Sequence, residues 1–167
     1  MSDSASDHRR QLLLLAGSGE ARDIAAALAR RDDWSVKASL LFPERSTGPL
    51  PVPTRFGRFG GEDGLARFLI AERIDAVLDA THPFANQISG HVSRVCSRLA
   101  LPCAQVLRPP WVAGPGDQWT EVADERDVAA LLVPGQKIFT TTGRATLDRL
   151  VARCQAQFFV RQLEERE

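Results

Sequence analysis

Leu12-Leu13-Leu14-Leu15-Ala16-Gly17-Ser18-Gly19-Glu20-Ala21-Arg22 is the stretch that decides how the chain folds. Within 11–15, the apolar run Leu12 to Leu15 is far too short to cross a membrane, and it does not alternate with polar residues. It reads as a strand buried on both faces, the kind found in parallel sheets. Over 20–31, Ile24, Leu28 and the alanines recur on one face at helical spacing. Between strand and helix, Gly17 and Gly19 permit a sharp turn and a close approach of backbone N–H groups to a ligand. The helix N-terminus adds unpaired donors and the positive end of its dipole. Rossmann-type domains hold the pyrophosphate of a dinucleotide in this way. An ordinary strand–helix turn is the competing reading, because Arg22 occupies the third position of the usual Gly-x-Gly-x-x-Gly pattern. Glu20 either complements the helix dipole or offers its backbone N–H to a ligand.

Working outward, short apolar runs alternate with helical periodicity. Strands are expected at 34–41, 54–56, 74–80 and 102–107. Helices are expected at 62–72, with Leu65, Phe68 and Leu69 inward, and at 83–99, with Phe84, Ile88, Val92, Val95 and Leu99 as the buried stripe. Pro43, Pro49, Pro51 and Pro53 make 42–53 an irregular connection. The pattern predicts an α/β fold with a Rossmann-like, mostly parallel sheet. Arg108-Pro109-Pro110-Trp111 and Ala113-Gly114-Pro115-Gly116 read as a linker. Helices at 124–132 and 144–154 and strands at 136–142 and 157–163 follow it. The expected organisation is a disordered arm over 1–10, a dinucleotide-binding domain over 11–112, and over 117–167 the beginning of a second, smaller α/β domain. That partial domain contributes to a substrate cleft, and the chain stops inside it.

Two further motifs fall beyond strands. Asp79-Ala80-Thr81-His82-Pro83-Phe84-Ala85 lies at the carboxyl end of the fourth strand. In open parallel sheets ligands sit outside the carboxyl ends, where strand order reverses, and the first and fourth strands commonly flank that point. The two motifs are therefore expected to share one crevice. Thr81 and His82 can donate to a carboxamide, and Pro83 with Phe84 can form an apolar wall for a nicotinamide ring. Helix capping is the alternative for Thr81 and His82, with Pro83 in the first helical turn. Phe59-Gly60-Gly61 after the third strand permits close backbone approach to a ligand, or is a plain turn. His91, beside the buried stripe, reads as structural.

Composition narrows the classes. The formal net charge is zero, which disfavours a general nucleic-acid or membrane-surface binder, and 44% hydrophobic residues suffice for a core. Cys96, Cys103 and Cys154 form no Cys-x-x-Cys pair, so no metal site or disulfide framework is expected. They read as buried free thiols of a reducing compartment. Nothing resembles a signal sequence, which places the protein in the cytoplasm. Only Lys37 and Lys137 of the 21 basic residues are Lys. The Arg excess reflects either codon bias or recognition of carboxylates and phosphates. The chain has no Tyr, which excludes the Tyr-x-x-x-Lys chemistry of short-chain dehydrogenases.

Taken together, the stretches 15–22, Ala38-Ser39-Leu40, 56–61, 79–85, Arg108-Pro109-Pro110-Trp111 and Thr141-Thr142-Gly143-Arg144 resemble the precorrin-6A reductases of cobalamin biosynthesis, cobalt-precorrin-6A reductases included. The resemblance implies a two-domain, monomeric oxidoreductase that transfers hydride from NADPH to a macrocyclic double bond of precorrin-6A, giving precorrin-6B. The tetrapyrrole would lie between the domains. It implies cofactor contacts at Gly17, Ser18, Gly19, Glu20, Ala21, Ser39, Leu40, Phe59, Gly60, Gly61, Thr81, His82, Pro83, Phe84 and Ala85. Family members often carry Ala-Gly-Arg after the Ser-Leu pair, and here Leu41-Phe42-Pro43 stands instead. Arg45 is the substitute for the missing 2′-phosphate partner, and the choice between NADPH and NADH stays open. Since the substrate is a polycarboxylate, Arg108 and Arg144 are candidate clamps, with Arg58 and Arg161 behind them. Asp79 is a candidate proton donor, with loop orientation as its alternative role. A non-catalytic NADPH-sensing module is the rival from another class.

Overall fold

In a computed structural model of the chain, residues 9–43, 48–83, 85–142, 144–152 and 155–161 are described. The chain divides into two compact units, Met1–Pro110 and Trp111–Glu167.

The first unit runs β1 (Arg10–Leu15), α1 (Gly19–Leu28), β2 (Trp34–Leu40), β3 (Thr54–Phe56), α2 (Gly61–Ala71), β4 (Ala76–Asp79), α3 (Asn86–Leu99) and β5 (Cys103–Gln105). Its five strands form one sheet in the order β3-β2-β1-β4-β5, and every pairing is parallel. β1 is central, with Leu14 opposite Ala38 on one side and Leu78 on the other. Successive side chains of a strand point to opposite faces. Leu12 and Leu14 therefore join Ala21, Ala25, Val36 and Ala38 on the α1 side, while Leu13 and Leu15 join Leu65, Leu69, Val92 and Val95 on the α2–α3 side. Helices on both faces explain why the leucine run shows no polar alternation.

Several boundaries differ from the periodicity. α1 stops at Leu28 rather than at 31, because the N–H groups of Arg30 and Arg31 bond three residues back to Ala27 and Leu28 and tighten the last turn. β4 starts at Ala76, since Ile74 N–H still bonds to Leu69 at the end of α2. α3 begins at Asn86, not at Pro83. The Ala85 N–H donates to the His82 carbonyl at 2.8 Å and closes a turn before the helix starts, so Pro83 stands outside the first helical turn. β5 is a three-residue edge strand with every residue exposed. Cys103 is accordingly exposed rather than buried, whereas Cys96 is buried as expected. Cys154 lies outside the described residues.

The second unit contains α4 (Glu125–Leu131), β6 (Lys137–Thr140), α5 (Arg144–Val151) and β7 (Gln157–Val160). Asp124 caps α4, its Oδ1 accepting the Arg126 N–H at 2.8 Å. β6 and β7 pair in parallel, the arrangement that requires a crossover such as α5. Phe139 and Phe159 are register partners and both are exposed. Among the described residues no helix is long and apolar enough to cross a membrane.

Candidate functional site

The glycine turn and the Asp79–Ala85 loop meet at the carboxyl edge of the sheet. Two observations establish this. The Ser18 hydroxyl accepts the Ala21 N–H at 3.2 Å as the N-cap of α1 and donates to the Ala80 carbonyl at 2.8 Å. A Cβ at Gly17 would lie 3.8 Å from the His82 nitrogen and 4.0 Å from the Thr81 Cα. The loops are neighbours because β1 and β4 are neighbours, with Leu15 opposite Asp79 and the Ala80 N–H bonded to Leu15 at 2.9 Å.

The two glycines of the turn do different work. Gly17 has φ +142°, which L side chains rarely adopt, so the backbone itself demands glycine there. Gly19 opens α1, and a Cβ on it would meet nothing within 4 Å. The fold leaves Gly19 free to be larger. Open space directly above the first N–H groups of a helix is the cradle that a pyrophosphate fills. The third glycine of the usual pattern is not needed. Ala21 and Ala25 are the residues buried against the sheet, while Arg22 reaches away to the carbonyls of Gly48 and Pro49 at 2.8 and 3.1 Å.

Under the second loop, Asp79 is buried. Its Oδ1 accepts from the Thr81 N–H at 3.1 Å and from the Thr81 hydroxyl at 2.7 Å, and Ser89 lies 3.3 Å from the same hydroxyl. Asp79 thereby orients Thr81, and neither Thr81 nor His82 is the side-chain cap of α3, which has none. On the β5 side of Asp79 a groove of about 380 Å³ is lined by Ser89, Ser93, Cys96, Cys103 and Gln105. Burial, with Cys103 beside it, pushes the Cys96 thiol up to about 12, and partial desolvation of its sulfur raises Cys103 although the residue as a whole is exposed. Both are protonated at neutral pH, so neither is an activated nucleophile.

The remaining candidates separate. Leu40 packs its side chain in the α1-side core and its carbonyl accepts the Gly57 N–H, so the strand end offers no free Leu40 side chain. The Ala21 N–H is held by Ser18. Gly60 and Gly61 have φ +86° and +79°, so turn geometry alone accounts for both. Arg45 and Phe84 lie outside the described residues, as does the Arg144 side chain. Arg58 and Arg161 are exposed. Sequence reasoning missed Gly64, whose Cβ would fall 1.7 Å from the Phe59 carbonyl oxygen. Gly60-Gly61-x-x-Gly64 was the legible signal. It also missed Ser89 and Arg55, which carry no local pattern.

Arg108 is already engaged. Its Nε and Nη2 donate to the two carboxylate oxygens of Glu20 at 2.6 and 2.7 Å, which ties the end of the first unit to the start of α1. Hydrogen bonding to Arg108 holds the Glu20 carboxyl at about 2, against an ordinary 4.5. The pair's contribution is therefore complete above pH 4.5 and is lost as the pH falls toward 2. Both side chains are substantially exposed, so the contribution is small and screened by salt. The stability gap between the protein and Glu20→Gln should narrow over that window. A gap that stays constant in pH-dependent melting curves would show that the pair stores nothing.

A five-stranded parallel sheet, helices on both faces and a glycine turn beside the β1–β4 switch point define a Rossmann-like α/β domain. The family model described as Precorrin-6x reductase CbiJ/CobK matches residues 11–167. The chain belongs to that family. It is similar to a precorrin-6A reductase of Rhodococcus erythropolis, 43% identical over 153 residues that cover 90% of this chain and 60% of the relative. A precorrin-6A reductase of Rhodobacter capsulatus is 36% identical over 94% of this chain and 62% of its own length. Among solved structures, one described as CobK precorrin-6A reductase superposes with a TM-score of 0.85 at 33% identity, over 95% of this chain and 63% of its own. The chain thus spans about 60% of the length of these curated relatives.

Proposed function

We propose that this chain is an NADPH-dependent reductase that acts in the cytoplasm on precorrin-6A, reducing one macrocyclic double bond to give precorrin-6B. The observation that carries the reading is the contact between Gly17 and the Thr81–His82 backbone, in a chain that belongs to the precorrin-6x reductase family.

Bound NADPH supplies the hydride, and the chain is asked to bind, orient and exclude water. The backbone at Gly17, Ser18, Gly19 and Glu20 would hold the pyrophosphate. Thr81, held by Asp79, and His82 would orient the nicotinamide carboxamide, and Pro83 would offer an apolar wall for the ring. Gly60 and Gly61 border the same edge from the end of β3. Asp79 is spent on Thr81, which favours orientation over proton donation. Arg108 and Arg144 are the candidate partners of substrate carboxylates. Arg108 serves that role by exchanging Glu20 for a substrate carboxylate of the same planar geometry. Arg108→Ala should then raise the KM for precorrin-6A about tenfold or more while NADPH affinity moves less. An unchanged KM removes Arg108 from the substrate site.

The test of the whole reading is NADPH oxidation at 340 nm on adding precorrin-6A, beside calorimetric titrations with NADPH and with NADH. Binding with turnover supports the reductase. Binding without turnover favours a sensing module, and no binding of either reduced pyridine nucleotide removes the reading.

A further inference from the structure

We propose that Arg55, together with Ser39, reads the adenosine 2′-phosphate and so makes this site select NADPH over NADH. The proposal rests on the dinucleotide reading of the site and adds the residue that sets its preference.

In a Rossmann-like sheet the ribose 2′ position is read just beyond the second strand. A carboxylate there takes the hydroxyl of NADH, and an Arg accommodates the phosphate of NADPH. At the end of β2, Ser39-Leu40-Leu41-Phe42-Pro43 contains no acidic residue and no basic one. Arg45, the expected partner, lies outside the described residues, and among the described residues the cation comes from the adjacent strand. β2 and β3 pair in parallel with Ser39 opposite Arg55, each one residue before its strand's last. Arg55 Nη1 donates to the Ser39 Oγ at 2.8 Å and to the Gly57 carbonyl at 3.0 Å, and Nη2 donates to the Arg58 carbonyl at 3.2 Å. The guanidinium lies over the Phe59 ring at 4.1 Å and 5.2 Å from the Phe68 ring centre.

The geometry is that of a fixed, uncompensated cation. Arg31, Arg94, Arg108 and Arg126 each hold a carboxylate, whereas every hydrogen bond of Arg55 among the described residues goes to a neutral oxygen. Its Nε–H and one Nη2 proton have no acceptor among those residues, and the buried Ser39 hydroxyl, accepting from Nη1, helps hold the guanidinium in place. Arg55 is partly buried, which lowers its pKa, yet a guanidinium stays charged at any working pH. A partly desolvated positive charge with spare donors, held at the carboxyl edge, is matched better by a dianionic phosphate than by a neutral ribose hydroxyl, which offers one weak acceptor and no charge. The bonds to Gly57 and Arg58 give Arg55 a second role in ordering the loop after β3, and the two roles predict different outcomes.

Calorimetry with 2′,5′-ADP and 5′-ADP separates them. The unaltered protein should prefer 2′,5′-ADP by about tenfold or more, and Arg55→Gln should bring the ratio close to one. Ser39→Asp places a carboxylate against Arg55 without removing it, so it should also abolish the preference, and it covers the case in which Arg55→Gln does not fold. Arg55→Lys keeps the charge but not the fork and should retain part of the ratio. A ratio that survives both Arg55→Gln and Ser39→Asp, an equal loss for both nucleotides, or an unaltered protein that binds both equally would overturn the assignment and leave the dinucleotide site standing. Absence of binding of either nucleotide by the unaltered protein would overturn both.

Discussion

Gly19→Val should leave the melting temperature nearly unchanged and weaken NADPH binding by about a hundredfold. The structural half follows from space. A Cβ at Gly19 meets no heavy atom within 4 Å, and the residue sits at the first position of α1 with no positive φ. A side chain there costs little, within about 1 kcal/mol on helix propensity alone. The binding half follows from what the space is for. A pyrophosphate on a helix N-terminus needs its oxygens within hydrogen-bond distance of backbone N–H groups, and charge-assisted bonds of this kind contribute about 1.5–3 kcal/mol each. An isopropyl group above them holds the anion off more than one such donor. Gly17→Val should behave differently, because φ +142° adds backbone strain of about 1–3 kcal/mol, so stability and binding fall together. Thermal melts and NADPH titrations of the two variants check this. If Gly19→Val binds NADPH as the parent does, the turn is a turn and nothing more.

The largest stability effect is expected at the centre of the sheet. Leu14 has no exposed surface, lies between Ala38 and Leu78, and packs on the α1 side with Ala21 and Ala25. Ala38, Ala21 and Ala25 are small and carried by a strand and a helix, so they have little side chain with which to fill a void. Leu14→Ala should cost about 2–5 kcal/mol, the transfer of the lost methyl groups plus a cavity that collapses only in part. A domain with a total stability of about 5–15 kcal/mol feels that as a large fraction. Ile70→Ala, on a residue that is 64% exposed, is the matched control and should stay within about 0.5 kcal/mol. Urea denaturation of both variants gives the comparison. Equal midpoints would mean that the leucine run is not the core.

Legibility in the sequence followed the range of the forces involved. The strand at 10–15, the turn at 17–19 and the helix behind them were readable because an apolar run, a glycine conformation and a 3.6-residue period are local properties. The start of α3 was misread because Pro83 and the stripe at Phe84 and Ile88 satisfy helix rules. What moved the start to Asn86 is the turn from His82 to Ala85, beside a Thr81 held by Asp79 and Ser89. The exposure of Cys103 was equally invisible, since nothing local says that the fifth strand is an edge. Arg108 was legible as an Arg suited to carboxylates. That the carboxylate it holds is Glu20, 88 residues away, was not.

The amino-acid sequence by itself determined the alternation of strands and helices, the two-faced burial of β1 and the glycine turn at its end, because each depends on residues within a few positions of one another. Tertiary structure decided which strand lies beside which. Only the order β3-β2-β1-β4-β5 sets Ser18 against Ala80 and Arg55 against Ser39. Those contacts arise from hydrogen-bonded register between distant segments, chosen by packing the whole sheet between its helices, and no short stretch of chain encodes it.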